Sequence, residues 1–442
     1  MNVARKNITR SVIPIVLSII WITLVSRFAL PHWVNPLSAL PPDLNTYLSA
    51  GQRLIDSQPL YIDADAPYKY PPIFAYAMKV FLTHSTWPTI AFFWQMASIT
   101  LFIFALEQLA RKFDLQASFK GGLLFFASAL LTWNGTIEIL AYGQIDLMIF
   151  SLLVFAALSP RFELFVFGFC LALKPQLMPI AIFCAMTKPR PFVRLATLTG
   201  TTLCWLVLPM LWLPISQWGQ LAQWVDQLNR SSPNHFLVNA INVSAAAYLS
   251  RTVQNEVLMV PLTALFFVSF VALPACHFAF KTTVNTRIKT EAETENSFFT
   301  FSLGIAATLL VSPLSWRWQV IYWIPCLFTI FGEFKPRGVT QLLRPGFDDS
   351  WLETGLLTAF LTTAVLSQLG HGSAWLSISN RYPSLVCSPF WPNLFLFILI
   401  LKLALKQRVR HSRQVLLKSR ADRPSVQEGH LPEPTCLAHQ EQ

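Results

Sequence analysis

The sequence predicts an all-α integral membrane protein, and three observations carry that expectation. Only 12% of the 442 residues are Asp, Glu, Lys or Arg, against about 25% in soluble globular chains. Hydrophobic residues make up 54%, with 36 Phe and 15 Trp, and mean hydropathy is +0.48. The apolar residues come in long continuous runs, unlike the short alternating segments of a membrane β-barrel. A bilayer core offers no water to backbone N–H and C=O groups, so such runs cross it as helices. This composition excludes a soluble enzyme, a disordered chain and a small disulfide scaffold. The seven Cys are odd in number, lie mostly inside apolar runs and form no CxxC. They read as small buried residues rather than as disulfides or metal ligands.

About twelve membrane or half-membrane helices are expected, over residues 12–30, 88–110, 121–133, 140–158, 163–174, 175–187, 192–214, 258–281, 297–313, 316–332, 352–369 and 388–406. Arg5, Lys6 and Arg10 precede the first run, and Leu30-Pro31-His32 offers no small-residue cleavage site, so an uncleaved span is expected there. Runs 121–133, 163–174 and 175–187 are short for a bilayer, which needs about 20 helical residues. The last two read as a pair of tilted or broken helices, which are tolerated where they line a protein cavity.

The basic residues orient this arrangement. With the N-terminus inside, 24 Lys and Arg fall in cytoplasmic segments and 8 in outer ones, with Lys174 left over. That asymmetry is the positive-inside pattern, and it accounts for the net charge of +11 without a nucleic-acid partner. Both termini are then cytoplasmic, in a multi-pass protein of the cell (inner) membrane. Residues 1–406 form the polytopic domain, and the polar tail 407–442 is expected to be disordered. Two outer loops are long, 31–87 and 215–257. The first holds DLNTYLSAGQRLI after Pro41-Pro42 and a second apolar stretch, Ile73–Leu82, after Pro71-Pro72. Both are expected as short helices along the membrane surface. No internal repeat is visible.

Several polar residues stand out. Asp43 is the first acid in the chain and opens the first outer loop. It reads either as a helix N-cap or as a general base at the membrane face, with Tyr47 one turn on and on the same side. Tyr61, Tyr68 and Tyr70 precede the rigid Pro71-Pro72 corner. They read as interfacial anchors or as the wall of a sugar or lipid-phosphate pocket, with Lys69 toward a phosphate. Asp63 and Asp65 form a D-x-D that reads as a solvated loop. Lys174 sits between two apolar runs, where a lysine costs about 2.5–3.5 kcal/mol on insertion scales. It either faces an internal cavity and binds an anionic headgroup, or extends to the surface. Gln144 and Asp146 stand where a helix re-enters the bilayer, near Asn134 and Glu138. Asn134-Gly-Thr136 and Asn242-Val-Ser244 match the glycosylation sequon, a pattern common by chance. Ser312-Pro313-Leu314-Ser315-Trp316-Arg317 joins two spans, either as a tight polar turn or as a substrate corner with Trp316 as a sugar platform and Arg317 for phosphate.

Asp43…Tyr47…Tyr61…Tyr70-Pro71-Pro72, Gly143-Gln144-Ile145-Asp146, Ala172-Leu173-Lys174-Pro175, Asn242 and Ser312-Pro313-Leu314-Ser315-Trp316 resemble, in order and spacing, glycosyltransferase family 87. The resemblance covers roughly residues 10–335. It implies the GT-C fold and α-mannosyl transfer from a polyprenyl-phosphate donor on the extracytoplasmic side, with inversion and with neither metal nor nucleotide cofactor. By residue match, Asp43 is the general base. Lys174 stabilises the leaving phosphate, with Lys69 or Arg317 assisting. Tyr47, Tyr68, Tyr70, Gln144, Asp146, Asn242, Ser315, Trp316 and Gln319 line the substrates. The family commonly continues S-P-x-S-W-x-H-H, whereas the two His positions here are Trp318 and Gln319. Gln319 can hydrogen-bond a sugar or phosphate but cannot carry a proton as His does.

The expected partners are the polyprenyl-phosphate sugar donor, a lipid-linked or glycan acceptor, and membrane lipids. The alternative is a polyprenyl-lipid transporter or flippase. A proton-coupled transporter keeps ionisable residues within its spans, whereas an enzyme needs a carboxylate in the outer loop, which favours the enzyme.

Overall fold

The computed structural model describes residues 2–35, 37–61, 68–115, 119–159, 161–207, 210–211, 218–230, 244–253, 259–284, 293–312, 317–334, 350–369 and 390–421. Among these the secondary structure is helical, with no strand. Three helices are long and apolar enough to cross a membrane: Ile13–Val34, Trp87–Lys112 and Pro261–Ala279. The bent pair Gly121–Leu131 and Trp133–Tyr142, at 47°, makes a fourth if it counts as one span. Seven further apolar helices have 10–17 residues. The chain is thus a helical membrane protein, but helix length alone marks fewer full crossings than the twelve expected segments.

Two of the long helices carry a π turn, at Val25–Ala29 and at Val268–Ala272. Each lies just before a proline, Pro31 and Pro274. A proline ring inside a helix clashes with the carbonyl four residues back and removes one hydrogen bond. A widened turn relieves that clash while the helix continues.

The expected spans 121–133 and 140–158 are divided differently. Helix α1 (Phe119–Leu131) and helix α2 (Trp133–Tyr142) are separated at Thr132, whose hydroxyl donates to the Ser128 carbonyl at 3.0 Å. Such back-bonding competes with the helical ladder and bends it. Helix α2 then ends at Gly143, with φ +67°. The Gly143 N–H reaches the Leu140 carbonyl and the Gln144 N–H reaches that of Ile139. This is a Schellman ending, which needs a left-handed residue and favours glycine. Helix α3 (Asp146–Leu158) starts after it.

The two short helices expected after Pro41-Pro42 and Pro71-Pro72 form, as α4 (Pro42–Ile55) and α5 (Pro72–His84). They pack on each other through Gly51, where a Cβ would sit 2.8 Å from the Lys79 backbone nitrogen. The apolar face of α4, with Leu44, Tyr47, Leu48 and Leu54, joins the single large core. Around that core run α6 (Trp87–Lys112), α7 (Glu163–Leu173), α8 (Met178–Met186) and α9 (Pro191–Val207). A buried acid at the start of α7 ties two of these together. Glu163 takes Lys188 at 2.6 Å and also Arg194 of α9. The last helix, Phe390–Ala421, runs past the tail boundary set at residue 406, so that boundary falls inside a helix. Lys406 on it pairs with buried Glu353 at 2.5 Å.

Candidate active site

The site forms where the start of α4 meets the α2–α3 turn. Pro41 and Pro42 fix the entry of α4, since proline is preorganised for the first helical position. Asp43 is the second residue inside the helix, whose N-cap position is Pro41. The N-cap reading of Asp43 is therefore not what the structure adopts. Its side chain turns instead to that of Gln144, and the charges of Lys174, Asp146 and Lys69 act on it.

Gly143 holds these two segments together. A Cβ there would lie 2.7 Å from Pro41 Cβ and 2.9 Å from Leu44 Cβ. The Gly143 carbonyl accepts the Trp94 indole N–H at 3.0 Å, and the Leu140 carbonyl accepts Gln95 Nε2 at 2.8 Å. Both donors come from α6, so one of the helices long and apolar enough to cross a membrane anchors the turn. Gly143→Ala is expected to lower stability by about 2–4 kcal/mol, combining the left-handed strain with the overlap on Pro41 and Leu44. Thermal unfolding of the purified protein checks this, and an unchanged melting temperature would mean that α4 is free to move off the turn.

Asp146 begins α3 with no exposed surface, and its Oδ2 receives Lys174 Nζ at 2.7 Å. Lys174 lies at the break between α7 and the short turn Pro175–Leu177 that leads into α8. That break exists because Pro175 cannot continue a helix, and it brings the lysine into the interior with 12% of its side chain exposed. The ammonium also stands 5.9 Å from the centre of the Tyr70 ring, within cation–π range. Tyr322, from the 3-10 turn Arg317–Tyr322, approaches the other Asp146 oxygen at 3.4 Å.

The tyrosines form one wall. Tyr47 OH donates to Tyr70 OH at 3.1 Å, Tyr61 OH to the Tyr70 carbonyl at 2.9 Å, and Tyr68 OH to the Pro71 carbonyl at 3.1 Å. Tyr47 also meets Tyr70, Phe74 and Trp94 edge-on, with ring centres 5.0 to 5.9 Å apart. Burial pushes the phenols of Tyr47, Tyr68 and Tyr70 above their ordinary value, so they remain hydroxyl donors at neutral pH.

Burial also raises the Asp43 carboxyl above its ordinary value, against the opposing pull of Gln144 and Lys174. Lys69 is drawn down by burial to about 8, with Asp43 resisting. Its carbonyl accepts Trp224 Nε1 at 2.9 Å from the helix Gly219–Arg230, which ties that helix to the segment before α5. The site therefore holds a carboxylate that takes a proton more readily than usual. Beside it stand a lysine near its titration point and a second lysine held by a buried acid.

Of the residues singled out in the sequence, Asp43, Tyr47, Tyr68, Lys69, Tyr70, Gln144, Asp146 and Lys174 come together here. Gln319 is buried on the 3-10 turn that packs against α2 and α3. Arg317 starts the same turn, and its side chain is outside the described residues, as are Asn242, Ser315, Trp316, Asp63 and Asp65. Sequence reasoning passed over Tyr322 and Trp94 as site-building residues, and it singled out Gly143 only as part of the Gly143-Gln144-Ile145-Asp146 motif. The φ-sensitive Gly at the end of an apolar helix was the one signal available.

No curated protein and no solved structure matches the chain. The family model for glycosyltransferase family 87 matches residues 68–313. That stretch contains Tyr68 through Lys174 of the site, while Asp43 and Tyr47 lie before it. It spans more than half of the chain, and the chain belongs to glycosyltransferase family 87.

Proposed function

We propose that this membrane glycosyltransferase has the GT-C fold. In this reading it moves a mannosyl group from a polyprenyl-phosphate donor to a lipid-linked or glycan acceptor on the extracytoplasmic face. The observation that carries the reading is the position of Asp43. The Asp43 carboxylate stands in the first turn of its helix beside Gln144, under the charges of Lys69 and Lys174, and Lys174 is fixed by its own buried acid, Asp146.

The chemistry follows from that arrangement. Asp43 takes the proton of the acceptor hydroxyl, whose oxygen attacks the anomeric carbon of the donor. The bond from that carbon to the phosphate oxygen breaks, and polyprenyl phosphate leaves with the electron pair. Attack from the face opposite the leaving group inverts the configuration. Lys174, with Lys69 and Arg317, stabilises the charge that develops on the phosphate. Asp146 keeps the Lys174 ammonium fixed beside Tyr70, so little reorganisation is needed when the charge appears. The Tyr70 hydroxyl, which accepts from Tyr47 and keeps its own proton, donates toward a sugar or phosphate oxygen. Tyr47 and Tyr68 hold the wall behind it, and Asn242, Ser315, Trp316 and Gln319 complete the substrate lining.

The pH dependence of kcat/KM tests the two ends of this scheme. The base works only ionised, so activity falls as pH drops through the Asp43 pKa, which lies above the usual carboxylate range. Lys69 works only as the cation, so activity falls again as pH rises through about 8. Lys69→Arg is expected to move the alkaline limb upward, because arginine stays charged. An alkaline limb that stays in place would remove Lys69 from the donor site.

The functional reading itself is tested in proteoliposomes with radiolabelled polyprenyl-phosphate-mannose as donor and a membrane-lipid extract as acceptor. The expected result is label in a new product, with no transfer from a nucleotide-activated mannose. Label crossing the bilayer unreacted would replace the enzyme by a flippase.

A further inference from the structure

We infer that Gln144 is the positioning residue of the base, and that its free amide oxygen receives a second hydroxyl of the acceptor. This rests on Asp43 acting as the base. An ionised carboxylate only accepts hydrogen bonds, so the end of the Gln144 amide that meets it is Nε2. The other end, Oε1, is buried and has no hydrogen-bond partner among the described residues. Gln144 is 8% exposed. A buried amide oxygen without a partner costs free energy, and the α2–α3 turn is fixed from both sides by Gly143 and Trp94. A rotamer that carried Oε1 out to water would also take Nε2 away from Asp43.

The close approach of Gly143 to Pro41 and Leu44 brings the α2–α3 turn onto the start of α4, so in this assignment the Asp43 carboxylate and the Gln144 carbonyl oxygen are two hydrogen-bond acceptors at one junction. A single hydroxyl has one proton and satisfies one of them. Two neighbouring hydroxyls, as on a sugar ring or a polyol headgroup, satisfy both. The hydroxyl on Asp43 is the one that loses its proton and attacks. The hydroxyl on Gln144 keeps its proton and sets the angle of attack. The acceptor class is thus a compound with adjacent hydroxyls, and a lone alcohol is a poor substrate. Asp43 itself is faced by Lys69 and Tyr70 from the first outer loop, Asp146 from α3 and Lys174 from the α7–α8 break, besides Gln144.

Two measurements on Gln144→Met, which keeps the volume and removes both polar atoms, decide the assignment. The first uses infrared difference spectra of wild type minus Asp43→Asn, which isolate the Asp43 carboxyl band. In the Gln144→Met background that band is expected to ionise at higher pH than in wild type, because the carboxylate loses a donor. Ionisation at the same pH would overturn the positioning role. The second is steady-state transfer from polyprenyl-phosphate-mannose. The acceptor KM is expected to rise about tenfold, the worth of one hydrogen bond to a buried group, while the donor KM stays within about twofold. Equal rises in both would overturn the acceptor contact. A Gln144→Asn variant, which keeps the amide but shortens the reach, should fold like wild type and show the acceptor defect. If the wild type transfers nothing from this donor, the functional reading fails by itself, and the carboxyl titration still decides whether Gln144 holds Asp43.

Discussion

Asp43→Asn is expected to abolish sugar transfer, with kcat falling by about two to four orders of magnitude, the usual contribution of a positioned general base. Donor KM should change little, because the amide keeps the shape of the side chain and the lysines remain. Folding should not suffer either, and the sign can be worked out from the shift. The folded protein holds the Asp43 carboxyl above its ordinary value. Its stabilising contribution is therefore fully present below the unfolded pKa and is lost as pH rises through the folded one. At neutral pH the ionised group opposes folding slightly, and the neutral amide removes that cost. A melting temperature equal to or above wild type, together with lost turnover, would separate catalysis from structure. Normal turnover in the variant would remove Asp43 as the base.

The second large effect concerns Lys174 and Asp146. Removing either partner of a buried ion pair leaves a charge without compensation, which costs about 3–5 kcal/mol. Asp146 has no exposed surface and Lys174 very little, so Lys174→Ala should lower the melting temperature clearly. It should also weaken donor binding more than it slows chemistry, because the phosphate loses its cation. A double variant, Asp146→Asn with Lys174→Met, removes both charges and keeps the volume. Stability is expected to recover in the double variant, since neutral replacement of a whole pair is often tolerated, whereas donor affinity is not. Recovery of both would make the pair purely structural. Donor affinity unchanged in Lys174→Ala would likewise take the lysine out of the donor site.

Much of this arrangement was visible in the residues themselves. Helices α4 and α5 follow from Pro-Pro starts and amphipathic or apolar spacing, and they form within one residue or two of the expected bounds. Asp43 and Lys174 stood out because an isolated charge beside apolar runs needs a reason. What paired with them was hidden. Lys174 and Asp146 are 28 positions apart, and Tyr322 reaches Asp146 from 176 positions away. No local pattern marks such contacts, because they depend on how helices cross. The break at Gly143 was missed because the apolar run reads straight through it. Only the left-handed φ and the approach of Pro41 show why glycine stands there. The two π turns likewise look like uninterrupted helix until the effect of the following proline is considered. The extension of the last helix to Ala421 has a similar cause. A basic, polar stretch reads as a tail, yet a helix already nucleated in an apolar segment propagates into it at little cost.

The most direct test of the central claim is single-turnover transfer from radiolabelled polyprenyl-phosphate-mannose in proteoliposomes, wild type beside Asp43→Asn, with donor binding measured on both. Transfer by wild type alone, with equal donor binding, is the predicted result and would assign the donor class and the base together. Equal transfer by both proteins would contradict the account, because the proton would then leave by a route that does not need Asp43.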